Sequence, residues 1–245
     1  MLKLVKSDEL AIHSFLDSVK SQCNHTITLL DTITLETETI IVMPDERVLG
    51  DVPDSIFKAS GNDLAHQFLE GVRFMHENKV AHLDLKPDNI LVTITASQLR
   101  LLIIDYSVSL QVATEESWFV GYRGTKGWAA PEVEAGDQYQ PLLADLWSTG
   151  RVLQYIAHRY QSNLPSPSPS PSPSRFKYHS LAIQLLHSNP PERPLLSNIG
   201  LYHEITPILR LKRKRGVDEQ ENWVEQRCSP FDSPPIVAHP FPIRC

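Results

Sequence analysis

The sequence predicts an α+β fold in which a small strand-rich part is followed by a larger, mainly helical part. Residues 26–30 and 38–43 are rich in β-branched side chains, which favour strands. Apolar residues recur at helical spacing over 64–76 and again over 143–153. Between those helices, 90–94 and 99–104 are apolar runs separated by a short polar turn, and they predict a β-hairpin.

The composition is typical of a globular protein and excludes several functional classes. The 245 residues are 41% hydrophobic and 21% charged, with a formal net charge of -6, so we expect no direct nucleic-acid binding. The three cysteines, Cys23, Cys228 and Cys245, have no paired or metal-ligand spacing. No signal peptide begins the sequence, and no apolar run reaches the roughly 20 residues that span a bilayer. We therefore expect a cytoplasmic or nuclear protein, or both, without a membrane partner.

The N-terminal elements follow from short patterns. Residues 1–20 predict a strand and then a helix, with Ser7 and Asp8 as candidate N-caps. Residues 45–62 contain proline, glycine and aspartate, and predict a connection before the first long helix.

The C-terminal half contains two segments unlike a packed core. Residues 107–128 are polar and irregular, which is typical of a long functional loop, and a short helix is expected near 181–186. Residues 165–174 are a Pro-Ser repeat, which predicts an extended linker. From about residue 207 the chain is charged and proline-rich, and a disordered tail is expected. Its basic run, 212–215, is interpreted as a solvated cluster, with a nuclear signal as the alternative.

The strongest chemical signal is the segment at 82–89, which reads His-Leu-Asp-Leu-Lys-Pro-Asp-Asn. Phosphoryl transfer needs a carboxylate that orients the attacking hydroxyl and accepts its proton, and Asp84 is the candidate. It also needs hard oxygen ligands for Mg²⁺, which Asn89 and, at the end of the hairpin, Asp105 could supply. Lys86 could neutralise charge on the transferred phosphate.

This segment resembles the H-x-D-L-K-P-x-N motif of the protein kinase family. Further segments resemble the family's motifs in the family's order: Asp105-Tyr106-Ser107 for D-F-G, 124–132 for G-T-x-x-Y-x-A-P-E, 145–150 for D-x-W-S-x-G, and the arginine segment at 191–194. The resemblance covers roughly residues 1–205. It implies a truncated small N-lobe with the hinge at 1–46, a helical C-lobe at 47–206, and the tail at 207–245.

The resemblance also implies roles for single residues, with ATP and Mg²⁺ as cofactors and a protein as substrate. Lys3 and Glu9 resemble the family's ion pair, and Val42-Met43-Pro44-Asp45-Glu46 resembles the hinge, with Met43 as gatekeeper and Pro44 to Glu46 facing adenine. Nucleotide binding is thus implied for Lys3, Glu9, Met43, Pro44, Glu46, Asn89 and Asp105. Structural roles are implied for His82, Thr125, Glu132, Asp145 and Arg193. The spacing around the hinge also resembles that of kinase-like sequences from fungi.

Two pairings follow from the same resemblance. Arg193 should meet Glu132, as the corresponding arginine and glutamate do in the family. Lys86 together with Thr125 implies a serine/threonine kinase, since a hydrogen bond between them would fix the base beside the substrate loop.

The sequence departs from the family pattern in ways that keep a second function open. The glycine-rich phosphate loop is missing, and the chain begins roughly at the family's third strand. Leu83 replaces the arginine that reads activation-loop phosphorylation, so we predict that such phosphorylation is not strictly required. Ser107 replaces a glycine, and the Pro-Ser repeat occupies the place of a helix often used for docking. The alternative is a catalytically impaired pseudokinase that acts as a scaffold. A small-molecule phosphotransferase is disfavoured, because those enzymes have no counterparts of the segments found here at 124–132 and 145–150.

Overall fold

The computed structural model describes residues 1–36, 38–95, 98–161 and 176–200, all of which belong to one compact unit, Met1–Ile208. The predicted Pro-Ser linker, the basic run at 212–215 and the tail lie outside the described residues. The α+β fold predicted from the sequence is confirmed, with a small sheet at the N-terminus and a helical part after it. No helix among the described residues is long and apolar enough to cross a membrane.

The N-terminal sheet contains three antiparallel strands in the order β1-β3-β2, which are Leu2–Val5, Thr39–Val42 and Asp31–Thr34. The helix α1, Ser7–Ser18, connects β1 to the rest of this part. Val5 and Ile41 share the inner face of the sheet with Ile27 and Met43, which are all buried. Lys3 lies between Leu2 and Leu4 on β1, and side chains alternate along a strand. Its side chain is therefore on the inner face of the sheet, whereas the two leucines are exposed on the other face.

Two details of the predicted N-terminal elements are wrong. The strand expected at 26–30 is absent: Thr26 forms only an isolated bridge to Ile103, and the strand of the sheet follows at β2. The β-branched pattern runs on past residue 30, so propensity alone could not place the boundary. The N-cap of α1 is Lys6, without a side-chain cap, so Ser7 and Asp8 lie in the first turn instead.

The first long helix, α2, begins earlier than the sequence predicts. It spans Asp54–Glu77, with a kink at Ser60, and so includes part of the expected connection at 45–62. Gly61, a glycine within that expected connection, is a packing residue: a Cβ there would lie 2.8 Å from the ring of Tyr160. The glycine therefore lets α2 approach the neighbouring helix closely.

The predicted hairpin is present, and so are the helices expected over 143–153 and near 181–186, while the other short elements in this part were not predicted from the sequence. Strands β6 (Ile90–Ile94) and β7 (Leu99–Ile103) pair antiparallel, and β4 (Arg47–Val48) pairs with β6. Strands β5 (Val80–Ala81) and β8 (Leu110–Gln111) form a two-stranded sheet. The remaining helices are α3 (Pro131–Ala135), α4 (Pro141–Gln161) and α5 (His179–Leu185). Helices α2 and α4 pack against each other in the main core, and their buried leucines support the loops above them.

Candidate active site

The carboxylate of Asp84 lies in the loop between β5 and β6, and only one of its oxygens is engaged. Its Oδ2 accepts hydrogen bonds from Lys86 Nζ at 2.8 Å and from Asn89 Nδ2 at 2.9 Å. Its Oδ1 is buried and has no hydrogen-bond partner among the described residues. An unsatisfied buried acceptor is costly, so it usually marks a site that another group completes. The lone pairs of Oδ1 are therefore not used by any group among the described residues.

The loop after β8 is attached directly to the lysine that binds this carboxylate. Lys86 Nζ lies 2.6 Å from Thr125 Oγ1, the contact expected from the sequence. Beside it, Gly124 has a φ of +99°, and a Cβ there would lie 2.3 Å from the carbonyl oxygen of Leu83. Only glycine fits, because it alone tolerates both this backbone angle and this approach.

Asn89 and Asp105 are brought together by the register of the hairpin. Ile104 donates its N–H to the carbonyl oxygen of Asn89 at 3.0 Å, and Asp105 is the next residue. Burial alone would raise the pKa of Asp105, but hydrogen bonds from Lys3 and Ser107 and the charge of Lys3 lower it to about 2. Asp105 is therefore ionised at neutral pH, as a cation ligand must be.

Lys3 forms an ion pair with Glu9 and with Asp105. Its Nζ lies 2.5 Å from Glu9 Oε1 on α1 and 2.7 Å from Asp105 Oδ1. The ammonium thus links β1, α1 and the end of the hairpin. In the hinge, Met43 is buried, and Pro44 and Glu46 are half-buried.

Asp145, at the start of α4, holds the loop between β5 and β6. Its two carboxylate oxygens accept the backbone N–H groups of His82 and Leu83, both at 2.7 Å, and Oδ2 also lies 3.1 Å from His76 Nε2. Leu83 has a φ of +64°, a strained angle that this clamp maintains. His82 is buried, and its Nε2 bonds the carbonyl oxygen of Ile104 at 2.9 Å, which is a structural contact. Sequence reasoning missed His76, which lies in the α2 pattern without any distinguishing signal.

The long loop after β8 is attached by apolar contacts where Leu83 replaces an arginine. Leu83 is buried in a cluster with Val112, Ala130 and Val133. The same loop forms a backbone bridge between Phe119 and Tyr139, with N···O distances of 2.8 and 2.9 Å. This part of the chain is therefore ordered by packing and backbone bonds.

Three rings in contact connect α1 to the loop between β5 and β6. Tyr106 is buried, donates its hydroxyl to the carbonyl oxygen of Ile103 at 2.9 Å, and has ring-centroid distances of 5.1 Å to His13 and 5.4 Å to His82. Burial raises the pKa of Tyr106 above its ordinary value. His13, which sequence reasoning missed, has no hydrogen-bond partner on either ring nitrogen in the described part of the chain. Burial is the main reason why its pKa falls to about 4. The available signal was its position four residues after Glu9, on the same face of α1.

Arg193 meets Glu132, as the sequence analysis expects. Nη1 and Nη2 lie 2.6 and 2.8 Å from the two carboxylate oxygens. Arg193 also donates to the carbonyl oxygens of Leu143 and His187, and its guanidinium lies 5.4 Å from the ring centroid of Trp147. These contacts attach the segment after α5 to α3 and α4.

Comparison with known proteins decides the family. Residues 8–162 match the protein kinase domain. This chain belongs to the protein kinase family. Members of this family bind ATP and generally use Mg²⁺.

The similar curated proteins are much longer than this chain. The calcium/calmodulin-dependent protein kinase type II of Caenorhabditis briggsae is 32% identical over 103 residues, which are 42% of this chain and 19% of that protein. The human calcium/calmodulin-dependent protein kinase type IV is 37% identical over 94 residues, or 38% of this chain and 19% of that protein. A titin homolog of Caenorhabditis elegans is 39% identical over 114 residues, which are 45% of this chain and 1% of that protein. The chain matches less than a fifth of the length of each of these relatives.

The oxygen donors of the candidate site suit Mg²⁺. Asn89 Nδ2 donates to Asp84, which leaves the amide oxygen of Asn89 as an acceptor next to the ionised Asp105. Within the described ranges, no group of three or more His, Cys, Asp or Glu side chains could hold a metal by itself. Mg²⁺ usually takes one or two protein oxygens and completes its shell with phosphates and water, so this donor set fits the ion.

Proposed function

We propose that the chain is an active serine/threonine protein kinase that transfers the γ-phosphoryl group of ATP to a protein hydroxyl. The observation that carries this proposal is the carboxylate of Asp84, fixed by Lys86 and Asn89 through Oδ2, with Oδ1 buried and unpartnered in the described structure. Oδ1 accepts the hydrogen bond of the substrate hydroxyl and takes its proton as the hydroxyl oxygen bonds to the γ-phosphorus. The bond from that phosphorus to the bridging oxygen breaks, and ADP leaves.

The other site residues position the nucleotide. Asn89 and Asp105 would hold Mg²⁺, which neutralises charge on the phosphates when it is bound. Lys3, oriented by Glu9, would contact the phosphates, and Lys86 would face the transferred group. The backbone of the hinge, at residues 44–46, would face adenine.

Specificity for serine and threonine is supported by the contact between Lys86 and Thr125. The hydrogen bond at 2.6 Å connects the base to the loop on which a substrate would lie. This bond would fix how far the acceptor hydroxyl lies from Asp84.

We propose the same division of the chain as the sequence suggests: N-lobe and hinge at 1–46, C-lobe at 47–206, and a tail at 207–245.

A scaffolding pseudokinase is the second candidate. The observation that favours it is Ser107, which replaces the glycine after Asp105 and Tyr106 in the family pattern and so narrows the backbone freedom of the proposed magnesium loop. Such a protein would keep the fold and bind partners, but it would bind MgATP weakly or not at all.

Nucleotide titration separates the two candidates. We expect millimolar MgATP to raise the melting temperature of the wild-type protein, because a ligand that binds only the folded state stabilises it. Lys3→Met and Asp105→Asn should each reduce this shift, whereas Lys6→Met, which removes an exposed lysine from the same segment, should not. If the wild-type protein shows no shift at millimolar MgATP, the scaffold is the better description.

A further inference from the structure

A cavity apart from the candidate active site opens where four segments of the helical part meet. Its volume is about 200 Å³, and it lies between the last turn of α2, the loop after β8, the start of α4 and the turn at Leu196–Asn198. No residue proposed above to bind ATP or Mg²⁺ lines it. The cavity is therefore a second concave site with no role in the proposed reaction.

The walls of this pocket are mainly apolar. Four leucines line it: Leu142, Leu143, Leu195 and Leu196. His76 also lines it and is held by its bond to the buried Asp145. Apolar walls favour an apolar side chain that fills the space between them.

The charged side chains lining the pocket are mainly acidic. Three carboxylates, from Glu77, Glu115 and Glu116, face one guanidinium, Arg73. Arg73 Nε lies 2.7 Å from Glu77, and Lys79 pairs with Glu115. Glu116 is exposed and has no ion pair among the described residues. Glu116 is therefore the carboxylate of the rim that can attract a cation beside the apolar walls.

The size of the pocket indicates the kind of occupant. A volume of about 200 Å³ is smaller than the ~300–1,000 Å³ of typical small-molecule sites. It suits one or two side chains of a polypeptide that inserts an anchor and leaves its backbone outside.

We infer that this pocket docks a partner protein through a leucine-sized side chain flanked by lysine or arginine. The leucine fills the space between Leu143 and Leu195, and the flanking cation pairs with Glu116. The inference does not depend on catalysis, because it concerns binding at a separate site.

Fluorescence anisotropy with two labelled peptides tests the inference on the full chain. The probes are acetyl-Gly-Arg-Leu-Leu-Arg-Gly and its counterpart with glutamate in place of both arginines. We expect the basic peptide to bind at least about tenfold more tightly, because the acidic rim attracts its two arginines and repels the two glutamates of the other peptide. Leu195→Asp should weaken its binding by about tenfold or more, because an apolar contact is lost to a charged group. Glu116→Gln should weaken it by about two- to fivefold, as for an exposed ion pair.

Matched controls distinguish the pocket from general charge attraction. Leu30→Asp and Glu36→Gln change exposed residues of the same types away from the pocket, and both should bind the basic peptide like the wild type. Equal binding of the two peptides, no binding up to millimolar concentration, or equal effects of pocket and control variants would each overturn the inference. Glu116 is exposed, so its variant keeps the test decisive if Leu195→Asp fails to fold.

Discussion

Replacing Arg193 by methionine should destabilise the fold more than any surface substitution. The side chain of Arg193 is fully buried, and that of Glu132 is 12% exposed. The variant would keep the volume roughly constant but leave the Glu132 carboxylate without its two bonds at 2.6 and 2.8 Å. Removing one partner of a buried ion pair costs about 3–5 kcal/mol. This is a large fraction of the ~5–15 kcal/mol that separates folded from unfolded domains.

A double-mutant cycle measures this interaction by urea unfolding, followed by far-UV circular dichroism. Glu132→Gln should cost clearly less in the Arg193→Met background than in the wild type, because the unpaired carboxylate is the main penalty. We expect a coupling of about 1–3 kcal/mol between the two positions. A cost of less than about 1 kcal/mol for Arg193→Met, or strictly additive effects, would refute the reasoning.

Three further predictions concern the candidate site and its supports. Thr125→Ala should lower the rate of phosphoryl transfer by about tenfold through loss of the catalytic-loop lysine's hydrogen bond, whereas Ser117→Ala should leave it unchanged in a steady-state kinase assay. Gly124→Ala should lower the melting temperature more than Gly121→Ala, since both have positive φ but only the first Cβ meets backbone, at 2.3 Å. His13→Leu should reduce the loss of stability on acidification from pH 6.5 toward 4 in urea titrations, because burial lowers the pKa of His13 to about 4 and the unfolded chain takes up the proton first.

Each of these predictions has a result that contradicts it. Activity controlled by phosphate on Ser117 would mean that the loop is not ordered by apolar packing at Leu83. Equal melting temperatures of the Gly124→Ala and Gly121→Ala variants would show that a Cβ at position 124 does not clash with the carbonyl oxygen of Leu83. For His13, the matched control is His158→Leu, which removes an exposed histidine from α4. If both histidine variants keep the wild-type pH dependence, His13 does not stay neutral in the folded protein.

The elements predicted correctly are those set by local sequence, and the contacts predicted correctly are those that the family resemblance implies. The hairpin β6–β7 follows from two short apolar runs and a polar turn, and its register then brings Asp105 beside Asn89. The contact between Lys86 and Thr125 and that between Arg193 and Glu132 could be expected because family motifs specify them.

What the sequence could not show depends on long-range packing. The early start of α2 was missed because the proline, glycine and aspartate residues of 45–62 predicted a connection, whereas Gly61 in fact packs closely against Tyr160. His13 and His76 escaped because a buried histidine on an apolar helix face looks like any other core position. Their roles depend on contacts with Tyr106 and Asp145, which lie far from them in the sequence.

The central claim, that Asp84 is the base of a phosphoryl transfer, is tested most directly with Asp84→Asn. Transfer of radiolabelled γ-phosphate from ATP to a serine-containing protein substrate is measured beside the MgATP-induced melting shift. The account predicts that the variant keeps the shift but loses about 10²- to 10⁴-fold in transfer rate, which is the usual contribution of a general base. Equal transfer rates in the two proteins, or no transfer by the wild type despite MgATP binding, would contradict it.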